Sequence, residues 1–582
     1  MTHMVSALGA IALCASTALG SVVYVDDDAP PGGDGQSWAT AYRFLQDGLA
    51  DAAASGGSVT EIRVGQGLYR PDLDAANPAG TGDLLATFQL VDGVRLAGGY
   101  AGVGAPTPDA RDVSNYVTTL DGDLLGDDGP GFANNDDNSW HVVTGSLTDA
   151  TAILDGFTIT AGNASGPEGA PTYHASGGGM IVVSGSPTVR LCTFESNAAA
   201  GWGAGMVVND VSSPEISGST FIGNVAQRAG GGLRCGDSSV AVTNSTFIGN
   251  RAEDLALGGG AIASFNTGLL ITESLFLNNY TAGEGGVTAT VGGETMVKNS
   301  TLAGNAADDK GGGLCTTSGG ITDVSNSIVV LNEAPSDAQI FNIGQQTVTQ
   351  MTSSNTQGGL GGFGVVDGGG NLDADPLFVQ PPTPGPDGVW GTGDEDLGDL
   401  RLAAGSPSID AGDNALVPFG SNADLDGNVR FFDDPTTVDT GAAGALGGSA
   451  VVDMGPFERG APPSGEWNDL GNALGSPALA GSGALLGGEP TTLLLVGAAP
   501  GAPAFLVLGI TELNAPFKQG LLVPNPDFLV PLPVDGAGAI GLSFPWFAGL
   551  PSSTSLTYQY WIQDASGPSG FTASNGLRST TL

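Results

Sequence analysis

The sequence predicts an all-β fold: a right-handed parallel β-helix, a solenoid of roughly 27-residue coils, followed by a small C-terminal antiparallel β-sandwich. Three observations predict it. An Asn ends a short apolar segment at positions 197, 224, 250, 279, 305 and 332, at intervals of 27, 26, 29, 26 and 27 residues. Each interval carries a Gly cluster followed by an apolar residue. Long amphipathic stretches are nearly absent, whereas short apolar runs bounded by Gly and Pro are frequent, which is the pattern of short strands and tight turns.

The register repeats in several columns. Phe194, Phe221, Phe247, Phe276, Leu302 and Val329 share the position three residues before each Asn. Val189, Ile216, Val242, Ile271, Val297 and Val324 lie five residues earlier still, and Met180, Met206, Leu233, Ile262, Val287 and Leu314 follow the Gly clusters. A unit of this size cannot bury its own apolar side, so coils must stack, with like positions about 4.8 Å apart. The apolar columns then point inward. Asn197, Asn224, Asn250, Asn279, Asn305 and Asn332 form an amide ladder at a bend, where Asn tolerates left-handed backbone. The Gly clusters supply corners with positive φ. Leucine-rich repeats would need helix-forming segments, and propeller blades would need about 40 residues.

The flanks divide the chain further. Residues 1–20 read as a signal peptide, with an apolar core from Val5 to Ala15 and small residues before Ser21. Residues 21–58 read as an N-terminal strand and a capping helix, with Tyr42, Leu45, Leu49 and Ala53 on one helical face. The β-helix follows over 59–400, closing coils over 401–460, a Pro-rich linker over 461–466 and the β-sandwich over 467–582. The apolar run from Thr492 to Ile510 is broken by Pro500, Gly501 and Pro503 and reads as two strands, so no membrane span is expected.

With 60 acidic and 16 basic residues, the net charge is -44. Such a chain repels nucleic-acid phosphates and anionic lipid surfaces, which excludes nucleic-acid binding. It reads as a secreted or cell-surface monomer whose acidic loops attract divalent cations. Beyond the leader, Cys192, Cys235 and Cys315 remain. They lie two or more coils apart, about 10 Å or more, beyond the roughly 7 Å reach of a disulfide. All three are expected as free thiols, Cys235 pointing inward and Cys315 outward.

Gly259-Gly260-Ala261-Ile262 with Phe276-Leu277-Asn278-Asn279 resembles the repeats of polymorphic outer-membrane proteins of chlamydial type. More broadly the coils resemble the pectin-lyase-like superfamily of right-handed β-helices. Tyr24–Tyr42, Glu61–Asp72 and Leu154–Thr160 are similar to the opening coils of secreted β-helix proteins of planctomycete-type bacteria. The motif Ser406-Pro407-Ser408-Ile409-Asp410-Ala411-Gly412-Asp413-Asn414, then Asp424–Arg430 and Val452–Glu458, resembles the closing pattern of the family known as choice-of-anchor Q. These resemblances imply fold and export and leave the chemistry open, because one fold hosts many functions.

Candidate chemistry is sparse. Polysaccharide lyases on this fold hold Ca²⁺ with Asp carboxylates and use Lys or Arg as base. Arg234, with Asp210 and Asp237 nearby in the register, is the candidate catalytic set; an ordinary surface ion pair is the alternative. Asp121, Asp123, Asp127 and Asp128 in one acidic insertion, and Asp387, Asp394 and Asp396 in another, are the candidate Ca²⁺ ligands, because Ca²⁺ takes six to eight oxygens. His141 and His174 stand isolated, and no Ser/His/Asp or zinc spacing appears. The reading is therefore a non-enzymatic exported protein that binds polysaccharide or cell-surface proteins. The alternative is a Ca²⁺-dependent polysaccharide lyase or another carbohydrate-active enzyme.

Overall fold

Short strands with alternating apolar side chains cannot bury their apolar line within one coil, so the coils bury it by stacking in register. The computed structural model describes residues 20–167, 173–255, 258–388, 390, 394–444, 450–461, 464–547 and 549–581. The expected signal peptide, except Gly20, lies outside the described residues. A representative coil has four strands: Met206–Asn209, Glu215–Ser217, Thr220–Ile222 and Val225–Ala226. First and second strands of successive coils form a 19-stranded sheet, third strands a 10-stranded sheet and fourth strands a 6-stranded sheet. Every pairing in these three sheets is parallel, for example Phe194 with Phe221 and Phe221 with Phe247. The strand Ser21–Val25 pairs with Val59–Gly65 and so opens the solenoid.

The third-strand column runs through Tyr69, Leu120, Ile159, Phe194, Phe221, Phe247, Phe276, Leu302, Val329 and Thr356. Its four Phe rings stack face to face at 4.8, 4.6 and 5.0 Å between centroids. At the next bend Asn197 Nδ2 donates to Asn224 Oδ1 at 3.0 Å, and the chain continues through Asn250, Asn279, Asn305 and Asn332 at 2.8–2.9 Å. A second ladder stands one residue before each third strand. The amides of Ser219, Ser245, Ser274, Ser300 and Ser327 each donate to the Ser Oγ of the next coil, at 3.1–3.2 Å. Cys192 heads this column, its amide donating to Ser219 Oγ at 3.3 Å.

Several local expectations are corrected. The left-handed residue at the Asn bend is the one before each Asn (Ser196, Gly223, Gly249, Asn278, Gly304, Leu331), which frees the ladder amide to lie in the pleat. The column after the Gly clusters takes Thr288, not Val287: Ile262 pairs with Thr288 and Thr288 with Leu314. The positive-φ corners at Gly259 and Gly285 fix this register, since each column residue stands three after its corner. The helix spans Leu45–Ala54 and buries Leu45, Gly48, Leu49 and Ala52, so Ala52 faces the core and Ala53 is exposed. Cys192, Cys235 and Cys315 are free and buried. Cys315 lies in the outward column with Ala289 and Phe341, yet Glu284 covers its thiol at 3.5 Å.

The described part of residues 401–460, expected as closing coils, runs along the side of the solenoid instead. Ile409, Ala411 and Met454 pack on Leu277, Ala303, Ile328 and Val330 of the third-strand sheet, with the antiparallel pair Phe378–Gln380 and Asp399–Leu402 beside them. Asn326 fixes the segment, donating to the Asp413 carbonyl at 2.9 Å and accepting its amide at 2.8 Å. The C-terminal module has antiparallel sheets of six, three and two strands. Leu479, Leu493, Leu495 and Ile540 from the three-stranded sheet meet Leu506, Tyr558, Tyr560 and Ile562 from the six-stranded sheet in one core. No helix among the described residues is long and apolar enough to cross a membrane.

Candidate functional site

Outward positions on the first strands stack into columns as inward ones do, so three coils can assemble a patch from single side chains. Trp202, just before the strand Met206–Asn209, stacks on Phe265 two coils away, 5.4 Å between centroids and 24° between planes. Arg234 of the intervening coil lays its guanidinium 4.6 Å from the Trp202 ring and 5.1 Å from the Phe265 ring. Gly236 makes room for it: a Cβ there would stand 2.5 Å from Arg234 Nη1. Among the described residues, Arg234 Nε and Trp202 Nε1 are both buried without a hydrogen-bond partner. Burial pulls the Arg234 guanidinium below its ordinary value.

Asp210 and Asp237 flank this patch and are engaged elsewhere. Tyr173 Oη donates to Asp210 at 3.4 Å, and Asn266 Nδ2 donates to Asp237 at 3.3 Å. Arg234 is therefore held by aromatic faces, a cation–π arrangement. Tyr173, Trp202, Arg234 and Phe265 are all partly exposed on this outer face.

Carboxylates of the first acidic insertion sort into two environments. Asp121 is buried beside Arg70 at 3.5 Å, and burial pushes its carboxyl up to about 6. Asp123, Asp127, Asp128 and Asp137 bring one oxygen each within 4.8 Å of one another. Donors of the same loop already occupy several of these oxygens: Asp123 accepts the amides of Gly126 at 2.6 Å and Asp128 at 3.0 Å, and Asp128 accepts Asn138 Nδ2 at 2.7 Å. Asp396 closes its own turn, accepting Gln380 Nε2 at 2.7 Å and the Gly398 amide at 3.0 Å. Among the described residues Asp387, Asp394 and Asp396 do not join a group of three or more such ligands.

Two ionic clusters escape sequence inspection. Asp155, almost wholly buried, receives Arg95 at 2.6 Å, Arg111 at 2.6 Å and Arg190 at 2.9 Å. Burial raises its carboxyl, and the three guanidinium groups outweigh that and lower it. Arg430, fully buried, stands 3.4 Å from Glu273 and 3.3 Å from Glu458 and donates to the Asp453 carbonyl at 2.9 Å. Glu273 also lines a cleft of about 600 Å³ with Glu215, Asn244, Phe419, Asn422 and Trp467, between the solenoid, the side segment and the C-terminal module.

The clusters set a pH dependence. Burial pushes Glu273 up to about 7 and Glu458 well above the ordinary carboxylate range. Each then holds a proton in the folded chain that the unfolded chain has lost, so its contribution to stability is present below the unfolded pKa and lost as pH rises through the folded pKa. Burial lowers His141 to about 4, which acts in the opposite sense as pH falls below the unfolded value of 6.5. Together with Asp121, the carboxyls outnumber this imidazole. The melting temperature is expected to be higher at about pH 5.5 than at about pH 7.5, a result that differential scanning calorimetry in matched salt reads directly.

A stretch of 118 residues, 20% of this chain, is 36% identical to the metabotropic glutamate receptor-like protein R of Dictyostelium discoideum and covers 7% of that protein. Residues 143–276 and 184–372 match the family model described as right handed beta helix region. The matched segments lie within the run of stacked parallel strands, and the centre of this chain is a right-handed parallel β-helix.

Proposed function

We propose that the chain is an exported extracellular or cell-surface binding protein that holds a neutral polysaccharide on the outer face around Trp202, Arg234 and Phe265. The observation that carries this reading is the partly exposed aromatic pair Trp202–Phe265, 5.4 Å apart, with Arg234 fixed against both rings. Aromatic faces give sugar rings an apolar platform, and the N–H donors of a guanidinium orient their hydroxyls. The net charge of -44 disfavours polyuronates and favours uncharged glycans. Export is supported by the apolar leader at residues 1–20 and by the resemblance to secreted β-helix proteins.

Affinity electrophoresis and calorimetry on neutral glucans, mannans and xylans test the reading. Trp202→Ala is expected to weaken retention by about tenfold or more, which is about 1.4 kcal/mol, with the circular-dichroism spectrum unchanged. Equal retention of the variant and the native chain on every glycan would refute it. The alternative, a Ca²⁺-dependent lyase, is tested on pectate and alginate: EDTA-sensitive release of ultraviolet-absorbing unsaturated uronides would replace the binding reading.

A further inference from the structure

Asp410 has a side chain with no exposed surface, and among the described residues its Oδ2 has no hydrogen-bond partner. A buried polar atom without a partner is costly, and a carboxylate oxygen more so. The other oxygen, Oδ1, receives a long contact from the Asp434 amide at 3.4 Å. Two further carboxylates converge here: Asp410, Asp433 and Asp439 each bring one oxygen within 4.8 Å of the others. The guanidinium of Arg459 is committed next door. It pairs with Asp434, and the Arg459 amide donates to Asp453 at 2.8 Å.

Ca²⁺ binds oxygen ligands at about 2.3–2.6 Å, so oxygens around one ion stand up to about 5 Å apart. The spread of the three carboxylates matches that sphere, and an all-oxygen set favours a hard cation over zinc or copper. We propose that Asp410, Asp433 and Asp439 bind one Ca²⁺ ion, with the buried Oδ2 of Asp410 as the anchoring ligand. The fold holds the ligands on two segments. The Asp410 carbonyl accepts the amides of Thr440 at 2.9 Å and Gly441 at 3.0 Å, which keeps the loop 433–441 over the Ser406–Asn414 motif. Asp453 accepts the Asp410 amide at 2.8 Å and sets its orientation. The ion acts as a clip between loop and motif, and this site is independent of the glycan-binding face.

The test is calorimetric titration of the full chain with CaCl₂ after removal of metal by EDTA, together with hydrogen exchange. Asp433 and Asp439 are exposed, so Asp433→Asn with Asp439→Asn leaves the buried core unaltered. The double variant is expected to lose about tenfold or more of the tightest Ca²⁺ affinity. Asp123→Asn with Asp127→Asn should leave that affinity unchanged. Ca²⁺ should slow amide exchange across 432–441 in the native chain and not in the first variant. Native-like affinity in the first variant, loss of the tightest site in the second, or no Ca²⁺-dependent protection of 432–441 would each overturn the proposal.

Discussion

Replacing Arg430 with Met is expected to cost about 3–5 kcal/mol of stability, the range for removing one partner of a buried ionic cluster. The side chain is fully buried, stands 3.4 Å from Glu273 and 3.3 Å from Glu458, and donates to the Asp453 carbonyl at 2.9 Å. One guanidinium thus serves two carboxylates whose protons burial already favours. Without Arg430, ionised Glu273 and Glu458 would repel each other in a medium that screens them poorly. Because both can be neutralised, the loss should shrink as pH falls from about 7 towards about 5. Urea unfolding of the native chain and Arg430→Met at both pH values measures this. Adding Glu273→Gln to Arg430→Met should recover part of the loss at neutral pH, since one buried charge is removed. A loss independent of pH, or below about 1 kcal/mol, would show that the cluster does not fasten the side segment to the solenoid.

Phe247→Ala is expected to destabilise the chain by about 3–5 kcal/mol, the sum of lost transfer energy and a cavity that stacked coils cannot collapse. The ring has no exposed surface and stacks on Phe221 at 4.6 Å and Phe276 at 5.0 Å. Phe194 stacks on one ring, Phe221 at 4.8 Å, and meets Ile159 on its other side. Phe194→Ala should therefore cost less than Phe247→Ala, by the value of one aromatic pair, about 0.5–1.5 kcal/mol. Phe247→Leu should retain most of the stability, because Leu302 fills the same column two coils on. Shifts in the chemical denaturation midpoint for the three variants report the order. Equal losses for Phe194→Ala and Phe247→Ala would remove the contribution assigned to the continuous stack.

The solenoid was legible because its physics is periodic. A Phe column and an Asn column recur with the coil, and both kinds of residue announce their position by type. Thr288 was missed because an apolar neighbour, Val287, matched the expected chemistry while the Gly285 corner fixed the register one residue later. The Ser ladder was equally periodic, yet Ser is common in turns, and Cys192 at its head hides the pattern. The ionic clusters were not legible. Asp155 draws arginines from sequence separations of 60, 44 and 35 residues, and Glu273 meets Arg430 only because the side segment folds back along the coils. The outward patch lay between these cases. Arg234 could be placed on the outer strand from its neighbour Leu233, whereas its partners Trp202 and Phe265 depend on side-chain direction across three coils.

The stacking of coils in one register is the claim beneath the rest, and engineered cysteines test it most directly. Ile222, Ile248 and Leu277 are paired partners in successive coils of the third-strand sheet. Adjacent strands stand about 4.8 Å apart, within disulfide reach, and alternate strands about 10 Å apart, beyond it. Under mild oxidation, Ile222→Cys with Ile248→Cys should form an intramolecular disulfide, read as loss of both thiols by mass spectrometry, and Ile222→Cys with Leu277→Cys should not. Cross-linking of the second pair in preference to the first would contradict the stacked register.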